Sequence, residues 1–402
     1  MELLATLYFT MRHSDRNTAA DASVIILCPG GLENGGGIGR QMGYFLQARE
    51  TIAGLYKCRV VDTRGPWFLG DSPLCIGFAG LYFLIALLKL AKARFFSGPR
   101  VVHANITGRG STLRKVILLT LARGFGLRYL LHVHDYNYAD EYRRHGAFMR
   151  SLIAVTFRRA AKILVLGSRD REALLSLLQL PQHQIVVLPN AVPDPLPRGI
   201  EARYPKGRPC HFLFLGRLGE RKGVPELLHA LARPVLMCRP WRATLAGDGP
   251  VDNFRSLAAD LGIADRVDFP GWLDAARVGS LCADTDVLVL PSHAEGLAMS
   301  VLEGLSHGLA VITTPVGAHP EVIEPEVSGI LVPPGDVEAL AAALVRVIDD
   351  EDLRHRLGAG ARRRFLEKFD VRGYAHRLGQ LHASVVSDTQ SSSTIVKKQA
   401  SH

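Results

Sequence analysis

The sequence predicts an α/β protein built from two doubly wound parallel sheets, and three observations carry that expectation. Short β-branched and apolar runs, each bounded by glycine or proline, alternate with longer runs of helical period along nearly the whole chain. The alternation halts at a proline-rich stretch, Pro193, Pro195 and Pro197 followed by 198–209, and starts again at His211. Between Asp286 and Val322 lies a clear strand-loop-helix-strand unit, DVLVLPSHAEGLAMSVLEGLSHGLAVITTPVGAHPEV.

Ser23 to Cys28 reads as the first buried strand after a loose extension over 1–21. A glycine-rich loop follows, then a helix from about Gly39 to Ala53 and a second strand from Lys57 to Asp62. Leu74 to Phe96 is the most hydrophobic segment, but its strongly apolar part ends at Leu88, short of the ~20 residues that a membrane span needs. Lys89, Lys92 and Arg94 give it a basic end. A packed helix is expected there, with shallow membrane contact through that end as the alternative. Arg100 to Ala104 is a third strand, Thr112 to Phe125 a helix carrying Arg114 and Lys115, and Tyr129 to Asp135 a fourth strand. On that strand His132 and His134 share a face by the period of two, and His134 lies nearer the carboxyl end, where open α/β sheets bind ligands. A helix from about Gly146 to Ala160, a strand from Lys162 and a last strand from Gln184 complete a first domain over 22–195.

After a linker over 196–209, a second domain over 210–368 repeats the pattern. His211 to Gly216 is a strand and Gly216 to Gly223 a glycine turn that lets backbone approach a ligand. Arg217, a bidentate donor, and Lys222, a point charge, are the two cations that a diphosphate calls for. Strands at Thr244, Val267, Asp286 and Ala310 follow, with helices between them, and a terminal strand and turn start at Gly329. Phe369 to Val385 is expected to form a final helix and 386–402 a disordered, serine-rich tail.

In the 286–322 unit a helix is expected to open at Gly296 and to run to His307, closed by Gly308. Glu295 stands at its entrance and Glu303 eight positions later, a little over two turns, so both carboxylates reach one edge of the sheet. The N–H groups of about Leu297 to Ser300 would lack helical partners and favour a phosphate, while Glu303 would accept from the vicinal hydroxyls of a ribose. Such a constellation describes a nucleoside-diphosphate site. The same two glutamates also read as a surface helix residue and a loop carboxylate, and their spacing alone leaves both open.

Composition removes several other classes. A chain of 402 residues, 48% hydrophobic, buries ample core, and a formal charge of +10 suits a nucleotide, a lipid diphosphate or an acidic membrane face. Its arginines are dispersed and no nucleic-acid motif emerges, so no nucleic-acid partner is expected. The six cysteines show no metal-ligand pairing and read as reduced thiols of a cytoplasmic protein. Gly37, Gly39, Gly43 and Asp62 imitate a dinucleotide fingerprint, but Pro29 to Gly36 intervene where its first glycine would follow the strand. Metal is not expected at His132-x-His134-Asp135, for want of a third spaced ligand, nor at Asp284-x-Asp286, which precedes a buried strand.

Glu295 to Glu303 resembles the two-glutamate signature of the retaining glycosyltransferases of family four, whose fold is GT-B, two Rossmann-like domains facing a central cleft. Phe214 to Gly223 (FLGRLGERKG), Ala246 to Pro250 (AGDGP), and Gly271 with Trp272 resemble further landmarks of that family, in the same order. Pro29 to Arg40 (PGGLENGGGIGR) resembles its acceptor loop, and Val101 to Lys115 with His132 to Tyr138 resembles members that assemble bacterial polysaccharides. The resemblance spans roughly 22–385. It implies a retaining, metal-independent hexosyl transfer from a nucleotide sugar, a substrate rather than a cofactor, to a glycan or lipid-linked glycan, on the inner membrane face. By the same resemblance, Gly216, Arg217, Lys222, Gly296, Leu297, Ala298 and Glu303 hold the donor, with Arg217 and Lys222 stabilising the leaving diphosphate. Glu295 meets the donor sugar, His134 orients it, and Gly36, Gly37 and Gly39 face the acceptor. Asn190 falls at the family's interdomain crossover asparagine. Gly304, Ala310 and Ala318 depart from the commoner alanine, proline and glycine, which touches loop geometry but removes no charge. A GT-B nucleotide-sugar epimerase and a noncatalytic subunit of the same fold are the competing readings.

Overall fold

The computed structural model describes residues 23–32, 36–50, 57–65, 73–95, 100–108, 110–196 and 208–399. The expected extension over 1–21 and most of the expected linker lie outside them. The chain divides into two compact units, one made of 1–188 with 371–402 and the other of 189–370.

Unit 1 holds a six-stranded parallel sheet in the order β2-β1-β3-β4-β5-β6. Its strands are β1 (Ser23–Cys28), β2 (Lys57–Asp62), β3 (Arg100–Ile106), β4 (Arg128–Val133), β5 (Lys162–Val165) and β6 (Ile185–Val187). The inner strands are buried on both faces, as helices on either side of a parallel sheet require. The chain steps from β1 to β2 on one side and then to β3 on the other, so the strand order reverses between β1 and β3. Open sheets bind ligands at the carboxyl ends of such a pair.

The hydrophobic segment forms one helix, Pro73–Phe95. Ala86 and Leu90 enter the core while Leu81, Leu84 and Leu88 stay exposed. Among the described residues no helix is long and apolar enough to cross a membrane. A helix absent from the sequence reading, Ser168–Leu178, follows β5 and buries Leu174 and Leu178.

Two helix boundaries in unit 1 differ most from expectation. The helix after β1 begins at Gly36, so Gly36, Gly37 and Gly39 form its first turn rather than a loop. Gly39 permits this, because a Cβ there would sit 2.7 Å from the Leu32 carbonyl oxygen and 2.8 Å from that of Gly31. The final helix runs over Val371–Gln399, past the expected end at Val385, with neither proline nor glycine after Gly379 to stop it. It packs on the helix Gly36–Glu50, with Phe45 edge-on to Tyr374 and His382.

Unit 2 repeats the topology as β12-β11-β10-β7-β8-β9. Its strands are β7 (Cys210–Leu215), β8 (Trp241–Ala246), β9 (Val267–Gly271), β10 (Val287–Leu290), β11 (Ala310–Thr313) and β12 (Ile330–Leu331). β7, β10 and β11 are buried at every residue. The order reverses between β7 and β10, whose backbones pair in parallel from Val287 opposite Phe212.

Candidate active site

The carboxyl ends of β7 and β10 bring together two loops that lie about 70 residues apart in sequence. The turn after β7 carries Arg217, Arg221 and Lys222, and the loop after β10 carries Glu295. Lys222 Nζ lies 2.6 Å from Glu295 Oε1, both side chains being largely withdrawn from water at 14% and 10% exposure. Arg221 Nη1 donates to the Ala294 carbonyl at 2.5 Å and lies 3.3 Å from the same Glu295 oxygen. His293 N–H donates to the Arg221 carbonyl, and His293 Nε2 meets Glu226 Oε1 at 2.6 Å. Arg217 is more exposed and reaches Asp248 at 3.4 Å. The result is a cationic cluster in which one buried carboxylate is shared by two cations.

The helix that ends this loop begins at Met299, three residues later than the sequence suggests, and Gly296 to Ala298 belong to the loop. No residue at 296–298 has a side chain that could cap an earlier start. Tertiary bonds hold the loop instead: Ala318 N–H donates to the Gly296 carbonyl at 2.8 Å, and Asn190 Nδ2 donates to the Leu297 carbonyl at 3.2 Å. The Ala298 N–H points at His319 Nε2, 3.4 Å away. Glu295 and Glu303 are therefore not two points on one helix. Glu295 is set by the loop, while Glu303 is half-buried in the second turn of Met299–His307, close enough to Cys282 to add to the burial that raises that thiol.

His319 fixes the loop from beneath. Burial lowers its pKa to about 4, so the ring is neutral. Its Nδ1 donates toward the Thr314 carbonyl at 3.2 Å and Thr313 Oγ1 at 3.1 Å, which leaves Nε2 to accept from Ala298. Gly317 is required beside it: its φ is +54°, and a Cβ there would run into the carbonyl oxygens of Glu295 and Gly296. Asn190, His319, Gly317 and Arg221 thus position the loop. Sequence spacing alone marked none of them as site-forming, because their contacts join segments remote along the chain.

Asp286 is bonded inside the unit. Its carboxylate accepts from the His211 N–H at 2.8 Å and from Arg208 at 3.1 Å, tying β10 to β7. Among the described residues no cluster of three or more histidines, cysteines or carboxylates could hold a metal ion.

His134 belongs to unit 1, just past β4. Its Nε2 meets Asn105 Oδ1 at 2.9 Å, and Asn105 Nδ2 donates to the Leu27 carbonyl, so Nε2 carries the proton and Nδ1 keeps a lone pair. Burial, with His103 nearby, holds His134 near 3. His132 is fully buried, 3.3 Å from His103, which in turn meets His382 of the final helix at 3.0 Å.

Comparison with known proteins agrees with this architecture. A profile of the glycosyl transferases group 1 matches residues 201–364, and one of the glycosyl transferase 4-like domain matches 18–191. The 2-deoxystreptamine N-acetyl-D-glucosaminyltransferase of Streptomyces fradiae is 30% identical over 324 residues, 74% of each chain. The lipopolysaccharide core biosynthesis glycosyltransferase LpsE of Rhizobium meliloti is 34% identical over 178 residues, 44% of this chain and 47% of its own. Anabaena HepE, solved in complex with UDP, superposes with a TM-score of 0.69 at 18% identity, covering 90% of this chain and all of that one.

Proposed function

The chain belongs to the family-four type of GT-B glycosyltransferases, and on that premise we propose that it moves a hexose from a nucleoside-diphosphate sugar to a glycan or lipid-linked glycan, without metal and with retention of anomeric configuration. The observation that carries the donor assignment is the Lys222 and Glu295 pair at the point where the strand order of unit 2 reverses. The donor diphosphate would take Lys222 and Arg217 as its cations, with the first-turn N–H groups of Met299–His307 at the positive end of the helix dipole. Glu303 would accept from the ribose hydroxyls. Lys222, released to the diphosphate, leaves Glu295 paired with Arg221 and able to accept from the sugar hydroxyls.

In the reaction the bond between the sugar C1 and the diphosphate oxygen breaks, and its electron pair leaves with the diphosphate. The acceptor hydroxyl bonds to C1 on the same face and gives its proton to the departing phosphate oxygen. Cations already in place stabilise that developing charge, the largest electrostatic contribution available to such a site. His134 would orient a bound sugar through its Nδ1 lone pair.

A relative named for lipopolysaccharide core biosynthesis favours surface polysaccharide as the product. Leu81, Leu84 and Leu88 line one exposed face of Pro73–Phe95 beside exposed Lys89, and Leu113, Ile117 and Leu121 do the same on Gly110–Gly124, which packs against it. Peripheral contact of these leucines with an anionic membrane fits a lipid-linked acceptor. The proposal is tested by incubating the protein with UDP-, GDP- and ADP-hexoses, with and without glycan acceptors, and following both nucleoside diphosphate and product anomer by NMR. An α-linked product from an α-linked donor is expected. Conversion of the donor hexose without acceptor would make the protein an epimerase instead.

A further inference from the structure

We propose that unit 1 carries a phosphoryl-binding site of its own, formed by Arg64, Arg114 and Lys115 at the carboxyl ends of β1 and β2, and that it holds the phosphate or diphosphate group of the acceptor. Only the word acceptor rests on the glycosyltransferase reading; the anion site stands on the geometry of unit 1.

Lys115 is completely buried, and its ammonium group makes one hydrogen bond, 2.8 Å to the hydroxyl of Thr63, itself fully buried. An ammonium has three protons to donate, and a buried cation ordinarily has a counter-charge. Arg114 precedes it on Gly110–Gly124 and folds back over the start of that helix, its Nη1 3.3 Å from where a Cβ on Gly110 would stand. Its Nε is buried and has no hydrogen-bond partner. Arg64, exposed on the turn after β2, is close enough to disfavour the charge on Arg114. Among the described residues, Arg64, Arg114 and Lys115 form no ion pair.

Among the described residues the nearby groups do not neutralise these cations. Asp62 is the carboxylate that acts on both Arg114 and Lys115, and its Oδ1 accepts from the N–H groups of Gly30, Arg64 and Gly65 at 2.8, 2.8 and 3.0 Å. Cys28 also faces Lys115, but burial pushes its thiol up to about 12, so it contributes no negative charge. Among the described residues one carboxylate, Asp62, faces two guanidinium groups and the lysine, which leaves an excess of positive charge beside the reversal point between β1 and β3. Two guanidinium forks and an ammonium behind them suit the several oxygens of a phosphoryl group.

The unpaired state leaves a signature. Burial, and after it Arg114, lower the Lys115 pKa to about 7. An anion bound beside Lys115 restores its affinity for the proton, so binding at pH 8 takes a proton up from the buffer.

Inorganic pyrophosphate is titrated calorimetrically into the full chain and into Arg64→Gln, Arg114→Gln, Lys115→Met and Arg217→Ala, in two buffers of different ionisation enthalpy. Arg114→Gln keeps the aliphatic stem and Lys115→Met is nearly isosteric, and thermal unfolding verifies that both fold. Affinity is expected to fall about tenfold or more in Arg114→Gln and Lys115→Met and less in Arg64→Gln, with a pyrophosphate site retained in Arg217→Ala. The observed enthalpy should depend on the buffer in the parent and not in Lys115→Met. Displacement by phosphatidylcholine vesicles carrying phosphatidic acid, but not by plain phosphatidylcholine, assigns the group to a lipid; displacement by glucose 1-phosphate alone assigns it to a soluble ligand. Equal pyrophosphate affinity in the parent, Arg114→Gln and Lys115→Met overturns the proposal, as does loss confined to Arg217→Ala. Absence of UDP binding, with pyrophosphate binding still dependent on Arg114, would sink the donor reading and leave this site standing.

Discussion

The two units share one topology, and each gathers cations where its strand order reverses, yet they balance the charge in opposite ways. In unit 2 the withdrawn Lys222 has a carboxylate partner, Glu295, at 2.6 Å. In unit 1, among the described residues, the fully buried Lys115 has a hydroxyl at 2.8 Å as its partner, and the nearby carboxylate of Asp62 is bound to backbone N–H groups. The contrast teaches that a parallel sheet creates the place for an anion, whereas the loops decide how charge is held there before ligand arrives. In the proposed donor site an internal carboxylate offsets part of the cationic charge, and a diphosphate would take its place at Lys222. The site in unit 1 instead relies on partial loss of the lysine proton.

The largest effect expected from breaking this contrast comes from Lys222→Ala. Losing a cation aimed at the leaving diphosphate should reduce kcat by about 10²–10³, measured as nucleotide release under saturating donor. It should also destabilise the fold by roughly 3 kcal/mol in chemical denaturation, since Glu295 loses its closest counter-charge in a poorly solvated position. Gly317→Ala attacks the same loop without touching a charge. With a positive φ and two carbonyl oxygens in the way, it should cost roughly 3 kcal/mol and displace Glu295, so activity falls even where the variant remains folded. Unchanged activity in folded Gly317→Ala would mean that the loop position of Glu295 is not needed.

Acid should separate the units further. His103 and His134 are held near 3 by burial, and His132 and His382 are lowered as well, with Arg49 adding to the effect on His382. The unfolded chain binds more protons than the native one from the ordinary histidine range down to about 3, so unit 1 loses stability as pH falls through that window. His307 and His319, lowered to about 4, exert the same pull on unit 2 through fewer groups. Hydrogen exchange at pH 5 should therefore show β3 and β4 losing protection before β10 and β11.

The smallest effect has the opposite sign. Lys115→Met should raise the melting temperature of the ligand-free protein at pH 7, by about 2–4 °C for each kcal/mol recovered, because it removes a buried charge with no carboxylate partner. With the native pKa lowered to about 7 and the unfolded one near 10.5, the unfolded chain binds the extra proton between those values. Parent stability therefore gains from this lysine as pH rises from 7 to 10, a slope that Lys115→Met should lack.

The sheets were legible in the sequence because their central strands are buried on both faces and read as unbroken apolar runs between turn residues. The helix Val224–Leu231 is legible in the sequence too, since Gly223 opens it and its apolar face repeats at helical spacing. The late start at Met299 was not legible, because Ala298 supplies no side-chain cap and the loop is held by Asn190, Ala318 and His319 from elsewhere in the fold. Arg221 was not legible as a site residue, because only the fold brings the Ala294 carbonyl against it. Lys115 read as a basic helix residue; its burial depends on Thr63, 52 positions earlier. The helix Ser168–Leu178 was a plain omission, for Leu174 and Leu178 already carry its buried spacing.

The donor site of unit 2 is tested most directly by calorimetric titration of UDP, GDP and ADP, without added metal, into the parent, Arg217→Ala and Lys222→Ala. Selective binding of one nucleotide is predicted, weakened in Arg217→Ala and lost in Lys222→Ala. Binding of no nucleotide, or equal binding in parent and variants, would contradict the assignment.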